Sequence, residues 1–265
     1  MIPLPLPPKV IQKSKNKAVF EVEGLYPGFG VTIGNSLRRV LLSSLGGVAV
    51  TEVKIKGVPH EFSTIPGVLE DAIMIILNLK NLRFKMFEGT TQKVELKAKG
   101  EGAVTGKDFK MFPQIELVNP ELQLATITDK KTELSVEITI EKGIGYEPKD
   151  QRKVVKKPDI GTMMMDAIFT PIKNVSFAVE SMRVGERTDF DKLSVEIETD
   201  GTISPEEAFF QSCELLIKHF NLIFEGKVAT PEVTVEPKEE KKAKSKTEKK
   251  PLGRSRTGEA KKKKK

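Results

Sequence analysis

The run Gly28-Phe-Gly30-Val-Thr-Ile-Gly34, after a strand-like segment and before a helical one, is the kind of turn in which backbone amides can cradle a phosphate. Its third glycine comes four residues after the second, one too many for the dinucleotide fingerprint, and no β-α-β repeat surrounds it. The better reading is a tight strand-to-helix turn. Asp189-Phe-Asp191 offers two carboxylates that a hard cation could use, but two alone are a weak set and the solvated entry to a strand explains them as well. His60 and His219 are the only histidines and Cys213 the only cysteine. There is no closely spaced His pair, second Cys or His-carboxylate cluster of the kind zinc requires. His60 reads as a turn or interface residue and His219 as half-buried packing. Neither a Gly-x-Ser-x-Gly elbow nor a P-loop string occurs. The residues therefore point to a chain with no metal, cofactor or catalytic group of its own.

Arg38-Arg39 is the remaining constellation. Adjacent residues on a helix point about 100° apart, so both guanidinium groups cannot serve that helix's own core. Either both are solvated, or at least one grips the carboxylates or carbonyls of a partner, a role in which Arg is over-represented.

The elements that would carry these residues follow from periodicity. Ala18 to Leu25 reads as the first strand, and Ile33, Leu37, Val40, Leu41 and Leu45 form the apolar stripe of a helix, with Thr32 as its cap and Gly46-Gly47 closing it. Val48 to Gly57 is a strand whose apolar parity shifts between Val50 and Val53, which implies a bulge or an edge. A second helix is expected after Ser63 or Thr64, with Pro66 in its first turn, Glu70 and Asp71 near its positive end and Lys80 at its negative end. Lys93 to Lys142 is β throughout, clearest in Leu134, Val136, Ile138 and Ile140. A charged loop at Lys149 to Asp159 precedes two strands, Asn174 to Val184 and Lys192 to Thr199. Ser204-Pro205-Glu206-Glu207 then opens a last helix with the stripe Phe209, Cys213, Leu216, Phe220 and Ile223, longer than a small domain needs. The class is α+β, helices at both ends and a β-rich middle that looks inserted.

Size and charge narrow the setting. A chain of 265 residues can bury a core without staples, one cysteine excludes an internal disulfide, and no export signal or membrane span is present, so a cytoplasmic protein is expected. Lys238 to Lys265 holds twelve Lys and two Arg against four Glu, a net of +10, which takes the +7 of the whole chain to −3 for residues 1 to 237. That tail is expected to be disordered, and any attraction to nucleic acid would act mainly through it.

Several strings resemble a known family. Pro27-Gly-Phe-Gly-Val-Thr-Ile-Gly-Asn-Ser-Leu-Arg-Arg-Val-Leu-Leu-Ser-Ser-Leu45, Val50-Thr-Glu-Val, His60-Glu-Phe-Ser-Thr, Gly67-Val-Leu-Glu-Asp and Leu77-Asn-Leu-Lys80 are similar to the N-terminal region of the bacterial RNA polymerase alpha subunit. Gly143-Ile-Gly-Tyr, Asp166-Ala-Ile-Phe-Thr-Pro-Ile, Val179-Glu-Ser-Met-Arg183-Val, Arg187-Thr-Asp-Phe-Asp-Lys-Leu and Thr199-Asp-Gly-Thr-Ile-Ser-Pro-Glu-Glu-Ala continue it in order, so that residues 17 to 225 are covered.

The resemblance implies a discontinuous dimerisation domain, residues 1–47 and 173–230, an inserted β-rich domain, 48–172, and a basic tail, 231–265. It implies a homodimer formed by the first and last helices, through Ile33, Leu37, Leu41, Phe209, Cys213, Leu216, Phe220 and Ile223. It also implies a platform for the beta and beta-prime subunits, which would carry the nucleotidyltransferase chemistry. Arg39 with Leu42 matches a beta contact, and Arg38, Lys80 and Arg183 are further candidates for large-subunit contacts. The sequence departs from the family where a small DNA-binding domain usually follows residue 225, and at Met74 and Met163-Met-Met165, whose contacts cannot be carried over. A stand-alone dimeric nucleic-acid-binding protein acting through the tail, and an enzyme using the Gly28–Gly34 turn, are the competing readings.

Overall fold

The computed structural model describes residues 2–152 and 161–226. The basic tail and most of the charged loop after Gln151 lie outside these residues. In chain order the elements are β1 (Lys9–Lys13), β2 (Lys17–Leu25), α1 (Phe29–Ser43), β3 (Gly46–Ile55), α2 (Ala72–Lys80), β4 (Phe84–Met86), β5 (Thr91–Lys99) and β6 (Gly102–Thr105). They continue with β7 (Phe109–Lys110), β8 (Ile115–Leu117), β9 (Gln123–Ile127), β10 (Glu133–Ile144), β11 (Tyr146–Glu147), β12 (Thr162–Met164), β13 (Ala167–Ile168), β14 (Ile172–Val184), β15 (Arg187–Thr199) and α3 (Pro205–Glu225). The class is α+β, and the described part of the chain up to Glu225 is one compact unit holding two main cores.

The first core joins the two ends of the chain. An antiparallel sheet in the order β1-β2-β15-β14 sets Ala18, Phe20 and Val22 opposite Ile197, Val195 and Leu193. Alternation along β15 puts Leu193, Val195 and Ile197 on the face that α1 and α3 cover. The rings of Phe20 and Phe209 stack with centroids 4.5 Å apart and planes at 8°, a geometry worth about 0.5–1.5 kcal/mol beyond the area buried. β1, not foreseen in the sequence, is an exposed edge strand paired only with β2.

Helix α1 starts four residues earlier than its stripe suggests. Gly28 is its N-cap, at φ 86°, and Thr32 lies inside the helix with its hydroxyl donating to the Gly28 carbonyl. The cap is supplied from far along the chain: the amides of Gly28 and Gly30 donate to Asp191 Oδ2 of β15 at 2.9 and 3.0 Å. Gly30 and Gly34 are not turn residues at all. A Cβ on Gly30 would come 2.8 Å from Val179, and one on Gly34 2.7 Å from Phe177, so these positions let the helix lie directly on β14 and β15. Because Asp191 satisfies two of the four orphan amides at a positive helix end, Asp191→Ala should cost about 1–2 kcal/mol, read as a lower melting temperature, with Asp191→Asn recovering part of the loss.

The second core fills the middle of the chain. A five-stranded antiparallel sheet in the order β12-β3-β10-β5-β7 buries Leu134, Val136, Ile138 and Ile140 of β10 against Ala72, Ile75 and Leu79 of α2. The expected bulge is present: β3 loses register with β10 at Thr51, between Glu52 and Val50. Helix α2, however, begins at Ala72, well past the expected Ser63 or Thr64. Ser63 hydrogen bonds to His60, Pro66 sits in a turn, and the Glu70 carboxylate accepts from the amide and hydroxyl of Thr126 instead of serving the helix end. Lys80 does occupy the last turn. No helix among the described residues is long and apolar enough to cross a membrane.

Candidate subunit interfaces

Helix α3 is built to protrude. Ser204 caps it, its Oγ accepting from the Glu207 amide at 3.2 Å, and Pro205 occupies the first turn. Its buried residues, Pro205, Ala208, Phe209 and Ser212, all lie in the first half, and Cys213, Leu215 and Leu216 are half-buried against the same core. From Ile217 to Glu225 every residue is exposed, Phe220 to 61%, Ile223 to 73% and Phe224 to 89%. Two apolar turns therefore stand in solvent, where burying each Phe or Ile side chain would gain about 1.5–3 kcal/mol. Burial pushes the Cys213 thiol up, away from the reactive thiolate.

The stripe of α1 faces the other way. Leu37 and Leu41 are 3% and 0% exposed inside this protomer's own core, with Phe209 beside them and Ile33 half-buried against it. Leu37, Leu41 and Phe209 are therefore spent on this protomer's own core, whereas Ile33 stays partly presented. The expected interface along both stripes would draw on α1 only where that helix is not already covering the sheet of its own chain. Of the residues assigned to that interface, Phe220 and Ile223 are fully presented, and Cys213 and Leu216 partly.

On the outer face of α1, Arg38 and Arg39 are exposed, neither makes an ion pair among the described residues, and Leu42, one turn on, is 39% exposed. This end of the helix abuts a small arch. The Ser43 carbonyl lies 3.3 Å from where a Cβ on Gly145 would stand, and Gly145 leads into β11, which pairs with β13. Tyr146 and Ile168 are direct partners there and are 59% and 39% exposed. Asp166, just before β13, accepts from the Lys149 amide at 3.0 Å and lies 3.7 Å from Lys80 Nζ. That amide, with the charges of Lys80 and Lys149, holds its carboxyl below the usual carboxylate range. The C-terminal end of α1, the exposed pair Tyr146 and Ile168, and Lys80 beside Asp166 thus lie along neighbouring segments, and the sequence alone did not single out Tyr146 or Ile168. Arg183 is not part of this face. Phe177 meets Gly34 and Val179 meets Gly30, so β14 carries Arg183 beyond the opposite, N-terminal end of α1, where its Nε donates to the Gly185 carbonyl.

The alternative chemistries find little support. Asp191 already fills the anion position at the start of α1, so the Gly28 and Gly30 amides are not offered to a phosphate. Its neighbour Asp189 is held by Arg187 at 2.6 and 3.0 Å. Among the described residues no group of three or more His, Cys, Asp or Glu could hold a metal ion.

Comparison with known proteins identifies the family. The family model described as the RNA polymerase Rpb3/RpoA insert domain matches residues 53–170. The chain is 47% identical over 213 residues to the DNA-directed RNA polymerase subunit alpha of Symbiobacterium thermophilum, covering 80% of this chain and 67% of that protein. It is 45% identical to the subunit of the same name from Syntrophomonas wolfei, covering 87% and 73%, and 48% identical to that of Moorella thermoacetica, covering 83% and 70%. With such identity over most of both sequences, the chain belongs to the family of bacterial DNA-directed RNA polymerase alpha subunits.

Proposed function

We propose that this chain is the dimeric, non-catalytic scaffold of a DNA-directed RNA polymerase, on which the beta and beta-prime subunits assemble. The observation that carries the dimer is the bare apolar run from Ile217 to Phe224 on α3. A second copy related by a two-fold axis would lay the same run against itself, burying both at once. The domains implied are a discontinuous one, residues 1–47 and 173–230, and an insert, 48–172. The two main cores and the match of the insert-domain description to residues 53–170 favour that division. The large subunits are assigned to the other face, where Arg38, Arg39 and Leu42 run on to the Tyr146–Ile168 arch and Lys80. DNA contact is assigned only to the basic tail, and any such contact would be weak and salt-dependent.

Arg39 has no carboxylate partner among the described residues, so its truncation should leave the protomer unchanged. Arg39→Ala is expected to keep the dimer mass while weakening capture of the beta subunit by at least tenfold in co-purification, the scale of an arginine hot spot costing about 2 kcal/mol. Full beta capture by that variant would remove Arg39 from the contact.

A further inference from the structure

At one end of the five-stranded sheet the middle core runs out of side chains. Ile138 and Ile140 are fully buried, but the next residues on that face of β10 are Lys142 and Ile144, set opposite Val48 and Gly46 of β3. They border an open recess of about 600 Å³, lined on its other sides by Phe84, Met86 and Phe87 and by Thr202 and Ile203. Its walls are tied together. Arg83, just before Phe84, pairs with Asp200, two residues before Thr202, at 3.2 Å, and the Asp200 side chain is only 5% exposed. A recess of this volume, at a junction of packed layers and mostly apolar inside, matches the usual dimensions of a small-molecule site.

Two charges set its preference. Lys85 and Lys142 both line it, and neither ammonium pairs with a carboxylate among the described residues. Asp200, two residues before Thr202, is already taken by Arg83 and by the Thr202 hydroxyl. We propose that this recess binds a small amphipathic carboxylate, its hydrocarbon body against Phe84, Met86 and Ile203 and its acid held by Lys85 and Lys142. A neutral ligand would leave both cations unmatched, an amphipathic cation would be repelled, and a bare inorganic anion would leave the apolar walls wet. The inference is independent of the assembly role.

Gly46 makes it testable. Its φ is not positive, and an added Cβ would meet nothing closer than the Gly143 carbonyl at 3.7 Å, so a side chain there enters the recess without straining the backbone. Calorimetric titration of the full chain with decanoate, decanol and decylamine should give saturable binding of one decanoate per chain, about tenfold tighter than decanol, and none of decylamine. Gly46→Leu, and independently Ile144→Trp at an exposed position, should abolish decanoate binding with the melting temperature unchanged. Lys85→Ala with Lys142→Ala should bring decanoate down to the level of decanol. Decanoate binding that survives both blocking variants, or that ignores the lysines, would overturn the proposal. So would a chain that binds no decanoate yet loses large-subunit capture on Gly46→Leu, which would give the recess to a partner's side chain.

Discussion

Aspartate at both Phe220 and Ile223 is expected to turn the proposed dimer into a monomer of about 29.4 kDa in sedimentation equilibrium. Each residue belongs to the bare end of α3 and touches no core, so the protomer should keep its circular dichroism and melting temperature. In a two-fold interface each substitution counts twice. Losing about 1.5–3 kcal/mol per apolar side chain, with four new carboxylates brought together in low dielectric, should weaken association by well over a thousandfold. A normal dimer at micromolar concentration would show that the copies meet elsewhere, and would leave the exposed turns of α3 to a different partner.

The second large effect concerns Gly34. Even the Cβ of alanine would stand 2.7 Å from Phe177 Cδ2 and 2.8 Å from Leu193 Cδ1, distances that side chains do not tolerate. Valine adds two further methyl groups against a sheet that is closely packed and cannot recede. Gly34→Val should therefore cost about 3–5 kcal/mol, more than the overpacking of an ordinary core site, and lower the melting temperature by about 10 °C. Gly28→Ala, at a turn where no atom lies within 4 Å, should cost less, through backbone strain at φ 86° alone. If Gly34→Val melts like the unmodified chain, the close helix-to-sheet approach is not what holds α1 in place.

What could be read from sequence divides by range. Ser204-Pro205-Glu206-Glu207 announced α3 correctly because a cap is made by residues three apart, and the structure uses the same Ser204 hydroxyl. The alternation of Leu134 to Ile140 gave β10, and the parity break near Thr51 gave the bulge, since both are written in neighbouring residues. The start of α1 was misplaced because its cap, Asp191, lies 163 residues away from Gly28. The start of α2 was misplaced because Ser63, Thr64 and Pro66 suit a turn as well as a helix end, and Ser63 bonds to His60 there. Periodicity reported that Leu37 and Leu41 are covered but not by what, and the cover is this chain's own sheet. Tyr146 and Ile168 gave no warning, being single exposed residues in two-residue strands that meet only in the fold. Arg39 and Leu42 rest on the resemblance, and both are exposed, as the role proposed for them requires.

The order β1-β2-β15-β14 has a consequence for how the polypeptide is made. Residues 17–43 emerge early from the ribosome, yet the strands they lie against, β14 and β15, are translated only at residues 172–199. At about 5–20 residues per second, that nascent segment waits roughly ten to thirty seconds without its neighbours. The middle sheet, whose strands all lie in between, can fold during the interval. A polypeptide cut short before residue 205 would thus never display the protruding end of α3, so the pairing proposed above would have to wait until both cores are complete.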